Sequence, residues 1–273
     1  MRLHYVERGA GRPLVLLHGM GSLLQDFTTS VFDDLARDYR AIALDRPGYG
    51  YSERPRRMFW TPGRQARLIH MALTRLGAER PIVLGHSWGV LVALAYALRY
   101  PNQTAAIVLL GGYAFPERRP DLAVMGIFRV PLLGTLLRDT IAPFAMRLAM
   151  RRVLRDAAFA PNPIPQRFTR EFPLELSYRP TQIRALAEEA LMLRPAAAAL
   201  SRRYRDVAVP VIILAGESDR LLDARHHAIR LHRAIRYSAT RIVPQTGHMI
   251  HHAAPTRVCE AVAVARDEAE AAS

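Results

Sequence analysis

The chain contains no lysine at all: its 38 Lys-plus-Arg positions are all arginine. Such exclusive usage reflects the base composition of a gene more readily than a function. It also has a single cysteine, Cys259, so no disulfide can form within the chain, which suits a reducing compartment. Long apolar runs are missing too. The nearest candidate for a membrane span, Leu122 to Met150, is interrupted by Arg129, Arg138, Asp139 and Arg147, and charges there are costly in a bilayer. The first residues, Met1-Arg2-Leu3-His4-Tyr5, lead into a strand-like pattern without the apolar stretch of a secretory leader. A cytoplasmic location is the expectation. Acidic residues are in short supply, 24 against 38 basic ones, for a formal charge of +14. The arginines are scattered and form no basic block, so a nucleic-acid partner is not expected. The excess leaves weak association with an anionic membrane surface as an expectation.

Half of the 273 residues are apolar, enough for a sizeable core and incompatible with general disorder. Short apolar runs alternate with helical patterns: Leu14–Leu17, Ala41–Leu44, Pro81–Leu84, Ala106–Leu110, Val211–Leu214 and Thr240–Val243. This alternation predicts an α/β fold with a mostly parallel sheet covered by helices on both faces. One stretch, 116–205, carries no strand pattern. Helical spacing is visible in Ala145-Met146-Leu148-Ala149 and in Ile183-Leu186-Ala187-Ala190-Leu191, with prolines at 161, 163, 165, 173, 180 and 195 marking expected helix ends. The reading is a core of residues 1–115 and 206–273, with a helical cap, 116–205, inserted into it.

Chemistry concentrates just beyond the strands, where ligand sites gather in open α/β sheets. Gly85-His86-Ser87-Trp88-Gly89 is a G-x-S-x-G that follows a strand and opens a helical run. That context suits a nucleophilic serine on a sharp strand-to-helix turn, with flanking glycines allowing close backbone approach. A serine needs a base, and the base an orienting carboxylate. The order serine, acid, histidine is met by Asp219, after Val211–Leu214, and His248, after the last strand in Thr246-Gly247-His248. Glu217 and Asp223 compete with Asp219, but Asp223 precedes a helical pattern and reads as its N-cap. His251 and His252 lie close to His248 without its strand-loop-glycine setting. His226-His227 and His251-His252 are adjacent pairs rather than an i, i+4 pair with a glutamate, so neither a metal nor a cofactor is expected.

These residues resemble the α/β-hydrolase family over nearly the whole chain. The resemblance makes His18-Gly19-Met20-Gly21-Ser22 an oxyanion loop, with the backbone N–H groups of Met20 and Trp88 as the oxyanion hole. It makes Asp45-Arg46-Pro47-Gly48-Tyr49-Gly50-Tyr51-Ser52 a loop that shapes the sheet edge without doing chemistry. Ser87 stands where epoxide hydrolases and haloalkane dehalogenases of the family carry aspartate. What remains includes carboxylesterases, lipases, C–C bond hydrolases, proline iminopeptidases and cofactor-free perhydrolases. Ser87-Trp88-Gly89 is also seen in the iminopeptidases, but His86 and Arg46-Pro47 depart from their pattern.

The expected activity is therefore hydrolysis of an apolar carboxylic ester, a small molecule, through an acyl-enzyme on Ser87. Met125, Ile127, Phe128, Leu132, Leu133, Leu136, Leu137, Phe144, Met146, Met150 and Met192 would supply an apolar pocket, or else pack the cap onto the core. Arg147, Arg151, Arg152 and Arg155 alternate with them and form either a solvated helix face or a lipid-facing one. A C–C or amide bond is the alternative target and would need polar anchors, for which Arg170, Glu171 and Glu175 are the candidates. A binding protein that keeps the fold without turnover is a third reading. It would have no need of both a triad and an oxyanion loop.

Overall fold

In the computed structural model, which describes residues 1–56, 58–130 and 132–272, seven strands form one sheet. They are β1 (Tyr5–Arg8), β2 (Pro13–Leu17), β3 (Arg40–Leu44), β4 (Ile82–His86), β5 (Ala106–Leu110), β6 (Val211–Gly216) and β7 (Ser238–Val243). Their order across the sheet is β1-β3-β2-β4-β5-β6-β7. Only β1 runs antiparallel, against β3. The helices of seven or more residues are α1 (Pro62–Arg75), α2 (Trp88–Arg99), α3 (Leu133–Asp139), α4 (Ala142–Val153), α5 (Pro180–Ser201) and α6 (Pro255–Ala271).

The continuous apolar runs of the inner strands follow from burial on both faces. Side chains alternate between faces with period two. Val15, Leu17, Val83, Ile107 and Ile213 join α1, α2 and α5 in one core. Leu14, Leu16, Leu84, Val108 and Leu214 join Phe27, Phe32 and α6 in the other. α2 is buried along almost its whole length, which explains why its sequence is apolar on every side.

The chain leaves β2 toward β3 on one side and returns to β4 on the other. β2 and β4 are therefore neighbours at the point where the connection reverses direction. The loops after these two strands open on a common crevice, the usual ligand position in such sheets. Among the described residues between β5 and β6 there are helices and turns but no strand. Pro180 begins α5, as a proline at a first helical position should. Pro195 does not end a helix, contrary to the expectation from its sequence. α5 continues through it to Ser201 because Ile183 and Leu193, Ala197 are buried on either side of it, so packing outweighs the lost N–H bond.

Candidate active site

Ser87 occupies the turn between β4 and α2 with φ 54° and ψ −115°. This backbone region is strained for a residue with a Cβ and recurs at functional turns. Two glycines make the turn possible. A Cβ on Gly85 would stand 2.4 Å from the carbonyl oxygen of Gly89, and a Cβ on Gly89 2.2 Å from that of Leu17. The Ser87 N–H donates to Leu110 O at 2.9 Å, so the sheet ladder reaches the nucleophile candidate itself. Met20 and Trp88 flank Ser87 on the wall of the same cavity. Neither of their N–H groups takes part in a backbone hydrogen bond outside the regular elements. Trp88 opens α2, where N–H groups point out of the helix and favour negative charge.

Asp219 and His248 come from the ends of β6 and β7, whose pairing extends into both loops through Glu217 N–H to Val243 O and Ser218 N–H to Thr246 O. His248 Nδ1 donates to Asp219 Oδ2 at 2.8 Å, with both side chains buried. That bond leaves Nε2 as the ring's acceptor. Asp219 Oδ1 accepts the N–H groups of Leu221 and Leu222 at 2.8 and 3.0 Å. Burial pushes the Asp219 carboxyl up, but His248 and these N–H donors outweigh it and hold the group below its ordinary range. Asp223 instead caps the helical turn that follows, accepting His226 N–H at 2.6 Å. Ser87 and His248 line one cavity, yet the Ser87 hydroxyl makes no hydrogen bond to the histidine. Catalytic hydrogen bonds are often loose before substrate binds.

Two supports of this arrangement carried no signal in the sequence. Asn162 donates to Gln245 O at 3.0 Å and accepts Gly247 N–H at 3.1 Å, bracing the turn before His248 from a segment 83 to 85 residues away. Arg46 turns inward from the loop after β3, fully buried, and donates to the carbonyls of His18 and Gly19 at 2.7 and 2.8 Å. Its counter-charge is Glu189 on α5, which also accepts Tyr49 Oη–H at 2.7 Å and Gln65 Nε2–H at 3.0 Å. Arg46 thus ties the loop that carries Met20 to α5, a positioning task that the motif of its own loop does not reveal.

A second buried cluster adjoins Ser87, and two of its members, Asp26 and His86, also line the cavity. His86 Nε2 donates to the carbonyl of His248 at 3.1 Å, and its ring packs 4.5 Å from that of His251. Asp26 accepts from His252 Nε2 at 2.9 Å and from the Ser22 hydroxyl at 2.8 Å, with His251 Nε2 at 3.1 Å. Burial pushes His86 and His251 below their ordinary value and so keeps both rings neutral near pH 7. Burial would raise Asp26, but His251 and His252 hold its carboxyl well below the usual range. Asp26, His86 and His251 could offer three ligand atoms to a metal, as could Glu117, His226 and His227. Both histidine pairs therefore meet a carboxylate distant in sequence. In each case it is already engaged: Asp26 as described, Glu117 with His227 Nε2 at 2.9 Å.

The cavity has a volume of about 540 Å³, ample for a small organic substrate. Its walls include Met20, Leu122, Met125, Met146, Met150 and Leu193. The apolar residues expected to form a pocket divide three ways. Met125, Met146 and Met150 line the cavity, Phe128 packs within the helical segment, and Leu132, Leu133, Leu136 and Phe144 face solvent, a third fate that neither expectation included. Arg170, Glu171 and Glu175 do not line the cavity. Glu171 pairs with Arg167 and Glu175 with Arg147 at the surface. The cation on the wall is Arg119, held by both oxygens of Asp121 at 2.9 and 2.7 Å.

A family model described as alpha/beta hydrolase fold matches residues 12–255. The uncharacterized hydrolase YugF of Bacillus subtilis is 25% identical over 261 residues, covering 95% of this chain and 91% of that protein. The 2-hydroxy-6-oxo-2,4-heptadienoate hydrolase of Pseudomonas putida is 27% identical over 261 residues, 89% of this chain and 84% of that protein. Among solved structures, an esterase from Exiguobacterium antarcticum superposes with a TM-score of 0.79 at 20% identity, covering 97% of this chain and 95% of that one, a likeness of fold.

Proposed function

We propose that this chain, which belongs to the alpha/beta hydrolase family, is a serine hydrolase that cleaves apolar carboxylic esters. The observation that carries the reading is the 2.8 Å bond between His248 Nδ1 and Asp219 on the cavity that also holds Ser87 on its strained turn. Ser87 Oγ attacks the ester carbonyl while His248 Nε2 takes its proton, and Asp219 holds the tautomer and stabilises the imidazolium. The N–H groups of Met20 and Trp88 receive the oxyanion. His248 returns the proton to the departing alcohol, leaving an acyl-Ser87 ester. A water deprotonated by His248 then releases the acid. The helical segment 116–205 acts as a cap over this site, its methionines supplying an adaptable apolar wall.

C–C bond hydrolysis is the second reading, favoured by the relative from Pseudomonas putida. Against it stands the charge on the wall: Arg119 is neutralised by Asp121 and so is a poor anchor for a carboxylate substrate. A fluorophosphonate probe should label the wild type and leave Ser87→Ala unlabelled; labelling that persists in the variant would refute the nucleophile. Turnover of p-nitrophenyl esters of graded chain length, beside prolyl amides and diketones, then decides the bond type. Preference for the diketone would overturn the ester reading while leaving Ser87 in place.

A further inference from the structure

Ten of the eighteen large apolar side chains exposed among the described residues fall within 124–153; Val124 and Val153 also line the cavity, and the other eight do not. Leu132 is 87% exposed, and Phe144 and Leu148 are 77% exposed. The pattern on α4 shows how the two sides divide. Ala142, Met146 and Met150 recur at i, i+4 and i+8 and turn inward, with Met146 and Met150 on the cavity wall. Ile141, Phe144 and Leu148 recur at i, i+3 and i+7 and so share the opposite face. α3, packed against α4, adds Leu133 and Leu136. A few scattered apolar residues at a surface need no explanation, but a concentration of this kind marks something that covers it.

Charge points to what covers it. Residues 120–158 hold six arginines against three aspartates and no glutamate. Arg151 has no ion pair among the described residues; Arg152 and Arg155, 82% and 69% exposed beside it, share the single carboxylate of Asp156 at the end of the apolar stripe of α4. An apolar face ending in exposed cations is complementary to an anionic lipid surface, where acyl chains receive the former and headgroups the latter. No single helix among the described residues is long and apolar enough to cross a membrane, and the apolar helices Pro120–Phe128 and Leu133–Asp139 meet at 99°. Such a pair can lie along an interface.

We propose that the outer face of residues 124–153 docks this protein on an anionic lipid surface, with the inner side of the same helices forming the wall of the apolar cavity. Docking does not depend on the chemistry at Ser87. Delivery of an apolar substrate from the lipid to the cavity rests on the hydrolase reading.

The test is co-sedimentation of the full chain with vesicles of phosphatidylcholine and with vesicles of phosphatidylcholine and phosphatidylglycerol in equal parts. Wild type should pellet with the anionic vesicles, less so as salt is raised. Phe144→Glu with Leu148→Glu should weaken this about tenfold or more, and Arg151→Glu about fivefold or more. Turnover of the soluble ester p-nitrophenyl butyrate should be unchanged in all three proteins. Wild type that stays in solution with both vesicles, or variants that bind as well as wild type, would overturn the proposal. So would light scattering that shows a dimer, dissociated by Phe144→Glu, without vesicle binding, because the face would then belong to a second copy. Vesicle binding in a protein that turns over no ester would sustain docking and sink the ester reading alone.

Discussion

The carboxyl edge of the sheet and the helices of residues 120–158 are built on opposite terms. At the sheet edge, polar and charged groups are buried and held from several directions: Arg46 by five acceptor atoms, Asp219 by three donors, Asp26 by histidines and Ser22. In the helical segment, large apolar groups such as Leu132, Phe144 and Leu148 stand in solvent. Buried polar networks specify one arrangement because any half-satisfied alternative is costly. An exposed apolar face specifies nothing until something covers it. The first region can position chemistry, whereas the second suits contact with a soft, non-directional partner.

The largest expected effect attacks the first region at its centre. Asp219→Asn preserves shape and can keep the acceptor for Leu221 and Leu222, but its amide faces the Nδ1–H of His248 and favours the wrong tautomer. On the hydrolase reading, kcat should fall about 10³- to 10⁴-fold with the melting temperature little changed. A fully active variant would remove Asp219 from the proposed triad.

Next comes Glu189→Gln, which leaves the buried Arg46 without its counter-charge. Unfolding by denaturant should show a loss of about 3–5 kcal/mol, and a change below 1 kcal/mol would mean the network matters less to the fold than its burial suggests.

Acid should act on the same region more mildly. His18, His86 and His251 are each held below the ordinary 6.5, chiefly by burial. The unfolded chain therefore takes up protons near pH 6.5 that the folded chain refuses, so stability present above that pH is lost as pH falls. The loss between pH 6.5 and 5 is greatest for His18 and His86, which are held furthest below the ordinary value, and smaller for His251. Asp26 contributes in the same sense only lower, its stability being present above about 3.8 and lost as pH falls through its depressed folded value. Melting curves from pH 8 to 4 test this; a flat profile between 7 and 5 would contradict the neutral buried rings. The smallest effect belongs to the second region: Phe144→Glu should change stability by no more than about 0.5 kcal/mol, since the ring packs on little. A drop of several kcal/mol would show that the face is folded against the molecule after all.

The strands were legible in the sequence because a sheet buried on both faces demands continuous apolar runs, and Leu14–Leu17, Ala106–Leu110 and Val211–Leu214 supply them with clear punctuation. Strand ends then located Ser87, Asp219 and His248 as candidates, since a parallel sheet gathers those ends on one edge. α5 was read less well at Pro195, where tertiary packing overrode a local rule. Local sequence also left the anchors of polar candidates wrong: Arg170 and Glu175 lie at the surface, while Arg119 reaches the cavity wall.

What the sequence determined by itself is therefore whatever depends on periodicity and on local turn geometry: the α/β architecture, the elbow around Ser87 with its two required glycines, and the strand-loop settings of Asp219 and His248. What only the tertiary structure decided is every pairing between residues far apart in the chain. Arg46 meets Glu189 across 143 positions, Asp26 meets His252 across 226, and Asn162 braces the His248 turn. It also decided which side of α4 faces the cavity and which faces solvent. The reason is physical. Periodicity records that a side chain is buried or exposed, whereas the partner of a buried charge is chosen by the geometry of the packed molecule, and no local pattern encodes that choice.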